Sequence, residues 1–343
     1  MLDDRGQQLL EVENLRVWFP IEGGFIASLL QRGGPKYVKA VDGLSFSVRR
    51  GEVVGLAGES GCGKSTCGMA VTRLYEPSSG SIRFEGSDLT HLRTREMKEY
   101  RRRIQIIFQD PYQSLNPRFT VYDTVKEPLD IHRLGTEEEK FAKVLRTLER
   151  AELTPPENFL EAYPHQLSGG QRQRVVIARA IVTDPHFLVA DEPTSMLDVS
   201  IRASILNLLK SFASEMNMGI LYISHDLSTL RYICSRTAVM YLGRIAESGL
   251  TEDLIESPAH PYVQALLSAV PVIDPASRKE RVSIRGEVLA PIDLPPGCRF
   301  RNRCPSAEDV CSGPEPELVH LGNGHWAACH FAAQFHQGAP KGP

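Results

Sequence analysis

The sequence has no long hydrophobic run and no large excess of charge of either sign. No apolar stretch in its 343 residues approaches the roughly 20 residues that a membrane-spanning helix needs. The opening residues lack the apolar segment that a secretion signal carries. The 39 Lys and Arg residues and the 42 Asp and Glu residues give a formal net charge of −3, which argues against nucleic-acid binding by broad phosphate neutralisation. These absences predict a cytosolic protein whose action at a membrane would depend on partner proteins.

The residues that are present have the composition of an ordinary globular protein, with 42% hydrophobic and 24% charged residues. Short apolar runs alternate with helical patterns up to about residue 250, which predicts a three-layer α/β core. We expect one domain over residues 1–268, with a helical subdomain over 111–183. Repeated prolines then predict a small accessory module over 269–332, followed by a disordered tail over 333–343.

A glycine-rich segment follows the apolar run Val53–Ala57 and precedes a helical pattern that starts near Thr66. It matches G-x-x-x-x-G-K-[ST], which forms a phosphate-binding loop when it connects a strand to a helix. Glycines let backbone N–H groups surround the phosphates, and the helix N-terminus adds a favourable dipole. We expect Lys64 to reach the terminal phosphates and Ser65 to bind Mg²⁺. The candidate phosphate-site residues are Gly58, Glu59, Ser60, Gly61, Cys62, Gly63, Lys64, Ser65 and Thr66.

A second apolar run, residues 187–190, ends in the two acids Asp191 and Glu192. We expect Asp191 to hold Mg²⁺, either directly or through water. Glu192 is placed to polarise the water that attacks the γ-phosphate. Two acids at a strand end would by themselves be ordinary solvated residues. Beside a phosphate loop they indicate a site for phosphoryl-group hydrolysis.

Further segments resemble motifs of the ATP-binding-cassette (ABC) ATPases, and they stand in that family's order. The segment Ser168, Gly169, Gly170 and Gln171, which precedes Asp191, resembles the signature motif that ordinary phosphate-loop proteins lack. The other resemblances are Gln109 to the Q-loop glutamine, Asp198 to the D-loop aspartate and His225 to the switch histidine. The resemblance covers about residues 12–270 and implies a P-loop ATPase core, an antiparallel β subdomain and a helical subdomain.

In that family two cassettes face each other head to tail and enclose two ATP molecules. The resemblance implies that Ser168 to Gln171 contact the ATP held by the partner cassette, aided by the dipole of the following helix. Gln109 would contact Mg²⁺ and the attacking water, and His225 would hydrogen-bond the γ-phosphate. With Lys64 and Glu192 these are the expected catalytic residues, acting by positioning and charge stabilisation. Met196 stands where the family more often has Ala.

An aromatic side chain usually stacks on adenine in this family. Phe19, at the end of the first predicted strand, is the first candidate, and Tyr37 is the alternative. Either ring could instead be ordinary packing.

Three more segments resemble the ATPase subunits of oligopeptide/dipeptide importers, whose relatives also move nickel and other small solutes. They are residues 109–117, 260–267 and 295–305, and they extend the resemblance to about residue 331. Such an importer implies two transmembrane subunits, an extracytoplasmic solute-binding protein and a second ATPase chain, often a different one. The resemblance is somewhat greater to the second of the two chains. It places this protein on the cytoplasmic face of the membrane.

Four of the seven cysteines are concentrated near the end of the chain: Cys298, Cys304, Cys311 and Cys329. Their spacing, C-x5-C-x6-C-x17-C, differs from the close pairs of zinc ribbons. Four thiolates in a loop-rich cytosolic module suit a [4Fe–4S] cluster with one Cys for each iron, and a small module needs such a cross-link. Zinc and free thiols remain alternatives. The nearby His320, His325 and His330 are possible substitutes for one ligand, but we expect them to be surface residues.

Rival functions remain open. A soluble ABC ATPase of translation or DNA maintenance typically carries two cassettes or a long coiled coil, neither of which this sequence shows. A metal- or redox-sensing regulator built around the cysteines would not need both Glu192 and His225. The same importer machinery could also serve nickel or another non-peptide solute.

Overall fold

The computed structural model of the chain describes residues 8–21, 36–269 and 296–336, with the single positions 284, 286, 291, 292 and 294. Its strands are β1 (Gln8–Pro20), β2 (Tyr37–Arg49), β3 (Val53–Ala57), β4 (Ser79–Phe84), β5 (Ser87–Asp88), β6 (Ile104–Ile107), β7 (Phe187–Asp191), β8 (Gly219–Ser224), β9 (Arg236–Tyr241), β10 (Arg244–Leu250), β11 (Val319–Gly322) and β12 (His325–Ala327). Its α-helices are α1 (Lys64–Val71), α2 (Thr94–Arg103), α3 (Pro111–Ser114), α4 (Val121–His132), α5 (Glu137–Arg150), α6 (Gly169–Ile181), α7 (Val199–Glu215), α8 (Leu227–Ile233), α9 (Thr251–Glu256), α10 (Pro261–Ser268) and α11 (Ala332–Phe335). Among the described residues, no helix combines the length and the apolarity that crossing a bilayer requires.

The chain divides into two compact units. The first comprises Met1–Leu10, Ser47–Val53 and Phe84–Ile223. The second comprises Glu11–Phe46, Val54–Arg83 and Ser224–Pro343. Both units combine segments that are far apart in the sequence, so the predicted boundary after residue 268 lies inside the second unit.

Parallel strands form the sheet of the first unit. β6 pairs with β7 through Ile104 opposite Phe187, and β7 pairs with β8 through Phe187 opposite Gly219. Every residue of β7 and of β8 is buried, as expected for parallel strands covered on both faces. The apolar runs in the sequence predict these two strands correctly.

Helices α3 to α6 follow one another between residues 111 and 181, and no strand interrupts them. Helix α4 begins with a capping box in which the Thr120 hydroxyl accepts a hydrogen bond from the backbone N–H of Asp123, at 3.1 Å. Helix α5 begins in the same way with Thr136 and Glu139. These helices contact one another and α6, and together they hold α6 in place.

In the second unit β3 runs parallel to β9, and antiparallel pairing then continues from β9 to β10, β12 and β11. The C-terminal segment is therefore attached to the sheet through β12. The fully buried carboxylate of Glu247, in β10, reinforces this attachment. It accepts hydrogen bonds from the backbone N–H groups of Ala259 and His260 at 2.8 and 2.7 Å, and it lies 2.7 Å from Nε2 of His325. The expectation that His325 is a surface residue is wrong, because its ring is buried beside this carboxylate.

The predicted disordered tail begins too early. Residues 332–335 form helix α11, and Ala332 is buried with Ala259, Leu321 and Ala327. Burial of this small apolar cluster is what holds the helix at the end of the segment. The rest of the predicted tail, residues 337–343, lies outside the described residues, as does most of 270–295 at the start of the predicted accessory module.

Candidate active site

The predicted phosphate loop connects the fully buried strand β3 to helix α1. Gly58, Gly61 and Gly63 have φ values of 144°, 79° and 105°, in the region that side chains rarely adopt. A Cβ atom on Gly63 would lie 1.9 Å from the carbonyl oxygen of Ala40, and one on Gly58 would lie 2.3 Å from that of Met240. Both the backbone conformation and the surrounding main chain therefore require glycine at these positions.

Lys64 directs its ammonium group into this loop. The side chain is buried, and Nζ donates hydrogen bonds to the carbonyl oxygens of Gly58, at 2.7 Å, and Glu59, at 2.9 Å. The thiol of Cys62 lies 3.8 Å from the same ammonium group. Burial raises the pKa of Cys62, which disfavours the reactive thiolate form. A fixed positive charge in a glycine-rich turn before a helix N-terminus is suited to a polyphosphate.

Two residues that sequence reasoning did not assign to the site hold Glu59 from outside the loop. The guanidinium of Arg303 donates two hydrogen bonds to the Glu59 carboxylate, and the Tyr262 hydroxyl accepts one from the Glu59 backbone N–H at 2.9 Å. The ion pair raises the pKa of Arg303. Both residues stand in segments that resemble the importer family, but no local pattern connects them to the loop.

The first unit contains the predicted acids, Asp191 and Glu192. Asp191 ends β7 and is buried, with 4% of its surface exposed. Glu192 follows at φ 45°, and its backbone N–H donates to the carbonyl oxygen of Ile223 at 2.9 Å. Its carboxylate accepts a hydrogen bond from the side-chain amide of Gln109 at 3.0 Å. The structure thus brings together two residues that the sequence assigns to the attacking water.

The signature segment caps its own helix. The Ser168 hydroxyl accepts a hydrogen bond from the backbone N–H of Gln171 at 3.2 Å, and the Gln171 side chain accepts one from the backbone N–H of Ser168 at 2.9 Å. Gly170 is buried, and a Cβ atom there would lie 2.9 Å from the Ile201 side chain. Ser168 is exposed at the positive end of α6, where an anion from another molecule would be stabilised.

The remaining motif residues stand at exposed ends of elements. Asp198 is the residue before α7 and is exposed, as is Met196, whose exposed fraction is 61%. His225 is exposed directly after β8.

Of the two aromatic candidates for the adenine contact, Phe19 packs edge-on against Tyr75, with ring centres 5.3 Å apart. Tyr37 is also half-buried, so the geometry does not choose between these two candidates for the adenine contact.

The four C-terminal cysteines converge. All four line one small pocket together with Phe300, and the backbone N–H of Cys298 donates to the carbonyl oxygen of Cys311 at 2.9 Å. Burial raises the pKa of Cys329 to about 12. In the described part of the chain, no group of three or more His, Cys, Asp or Glu side chains is arranged to hold a metal ion.

Comparisons with known proteins extend the motif assignments to almost the whole chain. Residues 41–195 match the family model of the ABC transporter, and residues 246–311 match that of the oligopeptide/dipeptide transporter C-terminal region. The oligopeptide transport ATP-binding protein AppF of Bacillus subtilis is 45% identical over 328 residues, which cover 95% of this chain and 98% of that protein. The dipeptide transport ATP-binding protein DppF of Haemophilus influenzae is 42% identical over 321 residues, with coverage of 94% and 96%.

A solved structure supports the same fold. The dimeric post-hydrolysis structure of the ATP-binding cassette MJ0796, bound to ADP and Pi, superimposes with a TM-score of 0.61 at 28% identity. It covers 71% of this chain and 99% of that one. Fold and motifs therefore define a P-loop ATPase of the ABC type, as the sequence predicts. Within that class, the chain belongs to the family of ABC transporter ATP-binding proteins that carry the oligopeptide/dipeptide C-terminal region.

Proposed function

We propose that this chain is the ATP-hydrolysing subunit that energises import of dipeptides or oligopeptides across the cytoplasmic membrane. The observation that carries the proposal is the joint match of residues 41–195 to the ABC transporter model and of residues 246–311 to the C-terminal region named for these transporters. Relatives named for oligopeptide and dipeptide transport match over at least 94% of the chain. A regulator built around the cysteines would not need the whole catalytic set.

The phosphate loop is assigned to the ATP phosphates, with the buried ammonium of Lys64 as the charged donor. Mg²⁺, when bound, neutralises charge that develops on the transferring phosphoryl group. Ser65, Gln109 and the buried carboxylate of Asp191 are the residues assigned to it, and these oxygen donors suit a hard cation.

Glu192 is assigned to the attacking water. The Gln109 amide donates to one oxygen of its carboxylate, which restricts the orientation of the group that would accept a proton from water. His225 is assigned to the γ-phosphate. These groups act by positioning and by charge stabilisation, because phosphoryl transfer requires little covalent participation from the protein.

The signature segment is assigned to a second ATP, held by a partner cassette. Its capping box pairs the backbone N–H groups of Gln171 and Ser168 and so fixes the shape of the exposed helix start that would receive a phosphate. Asp198 would lie at the same cassette interface. Closure on ATP and reopening after hydrolysis is a two-state movement that membrane subunits can use.

The proposed partners are two transmembrane permease subunits, a second ATPase chain and an extracytoplasmic solute-binding protein. The chain would be bound peripherally to the cytoplasmic face of the membrane. The domain limits proposed for this role are residues 1–268 for the nucleotide-binding domain and 269–332 for the accessory module.

The test is purification of the chain from native membranes in detergent, followed by identification of its partners and assay of its ATPase. We expect two multi-span proteins and a second cassette, and ATPase that rises with solute-binding protein loaded with peptide. A Glu192→Gln chain should retain ATP binding and lose turnover. Stimulation by nickel instead of peptide would reassign the solute. Recovery of ribosomes or DNA, without membrane proteins, would refute the transport function.

We further propose that Cys298, Cys304, Cys311 and Cys329 bind a [4Fe–4S] cluster. The convergence of four thiols on one pocket supports it, and each thiol would bind a different iron. Four soft thiolate donors suit an iron–sulfur cluster, and their C-x5-C-x6-C-x17-C spacing differs from the close pairs of zinc ribbons. The cluster would serve as a structural cross-link of the C-terminal segment.

Anaerobic purification with iron and sulfide analysis tests this second proposal. We expect about four irons per chain, and a Cys304→Ser variant should lose iron and melt at a lower temperature. Cys234→Ser is the control, because Cys234 is buried away from the pocket. Unchanged iron content in the Cys304 variant, or iron-free wild-type protein, would refute the cluster.

A further inference from the structure

The second residue of the phosphate loop, Glu59, is fixed by groups that lie outside the loop. Nη1 and Nη2 of Arg303 donate to the two carboxylate oxygens of Glu59, at 2.6 and 3.0 Å. The backbone N–H of Glu59 donates to the hydroxyl of Tyr262 at 2.9 Å. Both the side chain and the main chain of this loop residue are therefore held by residues more than 200 positions later in the sequence.

The two groups that hold Glu59 are themselves immobilised. The Tyr262 ring is fully buried and packs against Tyr241 and Phe300, with ring centres 4.7 and 5.4 Å apart. Arg303 lies one turn after Phe300, and its backbone N–H donates to the Phe300 carbonyl oxygen at 2.9 Å. Only 8% of the Arg303 side chain is exposed. A bidentate guanidinium–carboxylate pair fixes orientation as well as distance, so the carboxylate has little freedom.

Within the loop, Nζ of Lys64 donates to the carbonyl oxygens of Gly58 and Glu59, but the loop is rich in glycine and gains from support outside it. Three of its glycines have positive φ values, and glycine is the residue with the most conformational freedom to lose. The helix that follows begins at Gly63 with no side-chain cap. Any group that holds the loop in its phosphate-binding shape reduces the ordering that ATP must otherwise impose.

We propose that Arg303 is a positioning residue of the ATP site, which acts through Glu59 to hold the phosphate loop in its binding shape. The inference rests on the proposed ATPase function and adds to it a role for the C-terminal segment within the same chain. Because Arg303 acts on the loop rather than on the transferring phosphoryl group, its loss should raise KM and Kd for Mg-ATP more than it lowers kcat.

A simpler electrostatic explanation makes a different prediction. Removal of Arg303 leaves the negative charge of Glu59 uncompensated at a phosphate site, and repulsion alone would weaken ATP binding. That explanation predicts that Glu59→Gln/Arg303→Gln restores affinity, since the repelling charge is gone. Positioning predicts that the double variant binds as weakly as Arg303→Gln, because the link is broken in both.

Arg299 provides a matched control. It belongs to the same C-terminal segment, its side chain is 9% exposed, and it forms ion pairs with Asp42 and Glu315. It therefore matches Arg303 in burial and in charge pairing, but its partners are outside the phosphate loop. Substitution of either arginine should lower the melting temperature, whereas only substitution of Arg303 should change nucleotide affinity.

The experiment measures Mg-ATP binding to the purified full-length chain by calorimetry, together with melting temperature and steady-state ATPase. For Arg303→Gln we expect Kd and KM to rise about tenfold, with kcat within twofold of wild type. Arg299→Gln should bind Mg-ATP as the wild type does. If Arg303→Gln does not fold, Glu59→Gln tests the same link, and it too should weaken binding.

Each outcome decides the matter. Wild-type affinity in Arg303→Gln, equal losses of affinity in both arginine variants, or recovery in the double variant would overturn the positioning role. Tighter binding by Glu59→Gln would also overturn it. A wild-type chain that does not bind Mg-ATP would instead refute the proposed ATPase function, and the positioning role would fall with it.

Discussion

Two glycine-containing turns start helices in this protein, and they treat the free backbone groups of those helices in opposite ways. The phosphate loop enters α1 at Gly63 without any side-chain cap. The signature segment enters α6 through a complete capping box made by Ser168 and Gln171. A helix start has N–H groups with no partner inside the helix. In the first turn no side chain accepts from these groups, which suits a turn that binds its own ligand. In the second the Ser168 hydroxyl accepts from the backbone N–H of Gln171, which fixes the shape of the turn before another molecule binds.

The largest effect should come from breaking the uncapped turn. Lys64→Met removes the buried ammonium group of the loop. We expect ATPase activity to fall about 1000-fold, because a positioned charged donor to the phosphates is lost. Steady-state ATPase and Mg-ATP calorimetry measure this. Lys126→Met, a change on a surface ion pair of α4, is the control. Turnover within tenfold of wild type would contradict the assignment of Lys64.

A third helix start sharpens the comparison, because its cap can titrate. The backbone N–H of Tyr262 donates to Nδ1 of His260 at 3.0 Å at the start of α10, and burial lowers the pKa of His260 from 6.5 to about 4. Between pH 6.5 and pH 4, His260 is protonated in the unfolded chain but stays neutral in the folded chain. The contribution of His260 to the free energy of unfolding is therefore fully present above pH 6.5. It is lost as the pH falls towards 4, which lowers the free energy of unfolding by about 3 kcal/mol.

Chemical denaturation at several pH values checks this linkage. The control is His260→Asn, which retains a capping oxygen but does not titrate. We expect its free energy of unfolding to depend less steeply on pH between 6.5 and 4 than that of the wild type. Identical slopes would show that His260 is not the group responsible.

A smaller effect separates capping from phosphate contact at the signature. Ser168→Ala removes the cap and should destabilise the protein by about 1 kcal/mol, whereas Ser168→Asp retains it. The aspartate would however face the partner's phosphate, so Ser168→Asp should lower ATPase about tenfold while its melting temperature stays near wild type. Both properties are measured on the assembled complex. If Ser168→Asp hydrolyses ATP as fast as the wild type, the contact in trans is absent.

The sequence predicts both turns because their chemistry is local. Strand β7, the phosphate loop and the Ser168 to Gln171 segment each depend on neighbouring residues, so a short pattern carries them. The pair of Glu59 and Arg303 is 244 positions apart, and no pattern in either segment indicates the other. The same holds for the burial of His325 beside Glu247 and for the pairing of the short strand β12 with β10. Both join segments that are far apart in the sequence. Long-range partners of this kind follow from tertiary packing rather than from local periodicity.

The smallest effect concerns why glycine is needed in each turn. In the phosphate loop, a Cβ on Gly63 would meet a backbone oxygen at 1.9 Å, which cannot move aside. In the signature segment, a Cβ on Gly170 would meet only the Ile201 side chain at 2.9 Å, and one on Gly169 would lie 3.8 Å from Leu197. We therefore expect Gly170→Ala to cost about 1 kcal/mol of stability through local overpacking.

Gly169→Ala is the matched control in the same helix turn, and thermal or chemical denaturation of both variants measures the difference. Gly169→Ala should be neutral or slightly stabilising, because alanine favours helix more than glycine does. Gly170→Ala/Ile201→Ala should recover part of the loss, since the contact atoms are gone. If Gly170→Ala and Gly169→Ala are equally stable, the Ile201 side chain moves aside without lowering the free energy of unfolding. In that case any loss of ATPase in Gly170→Ala would arise at the surface that faces the partner's nucleotide.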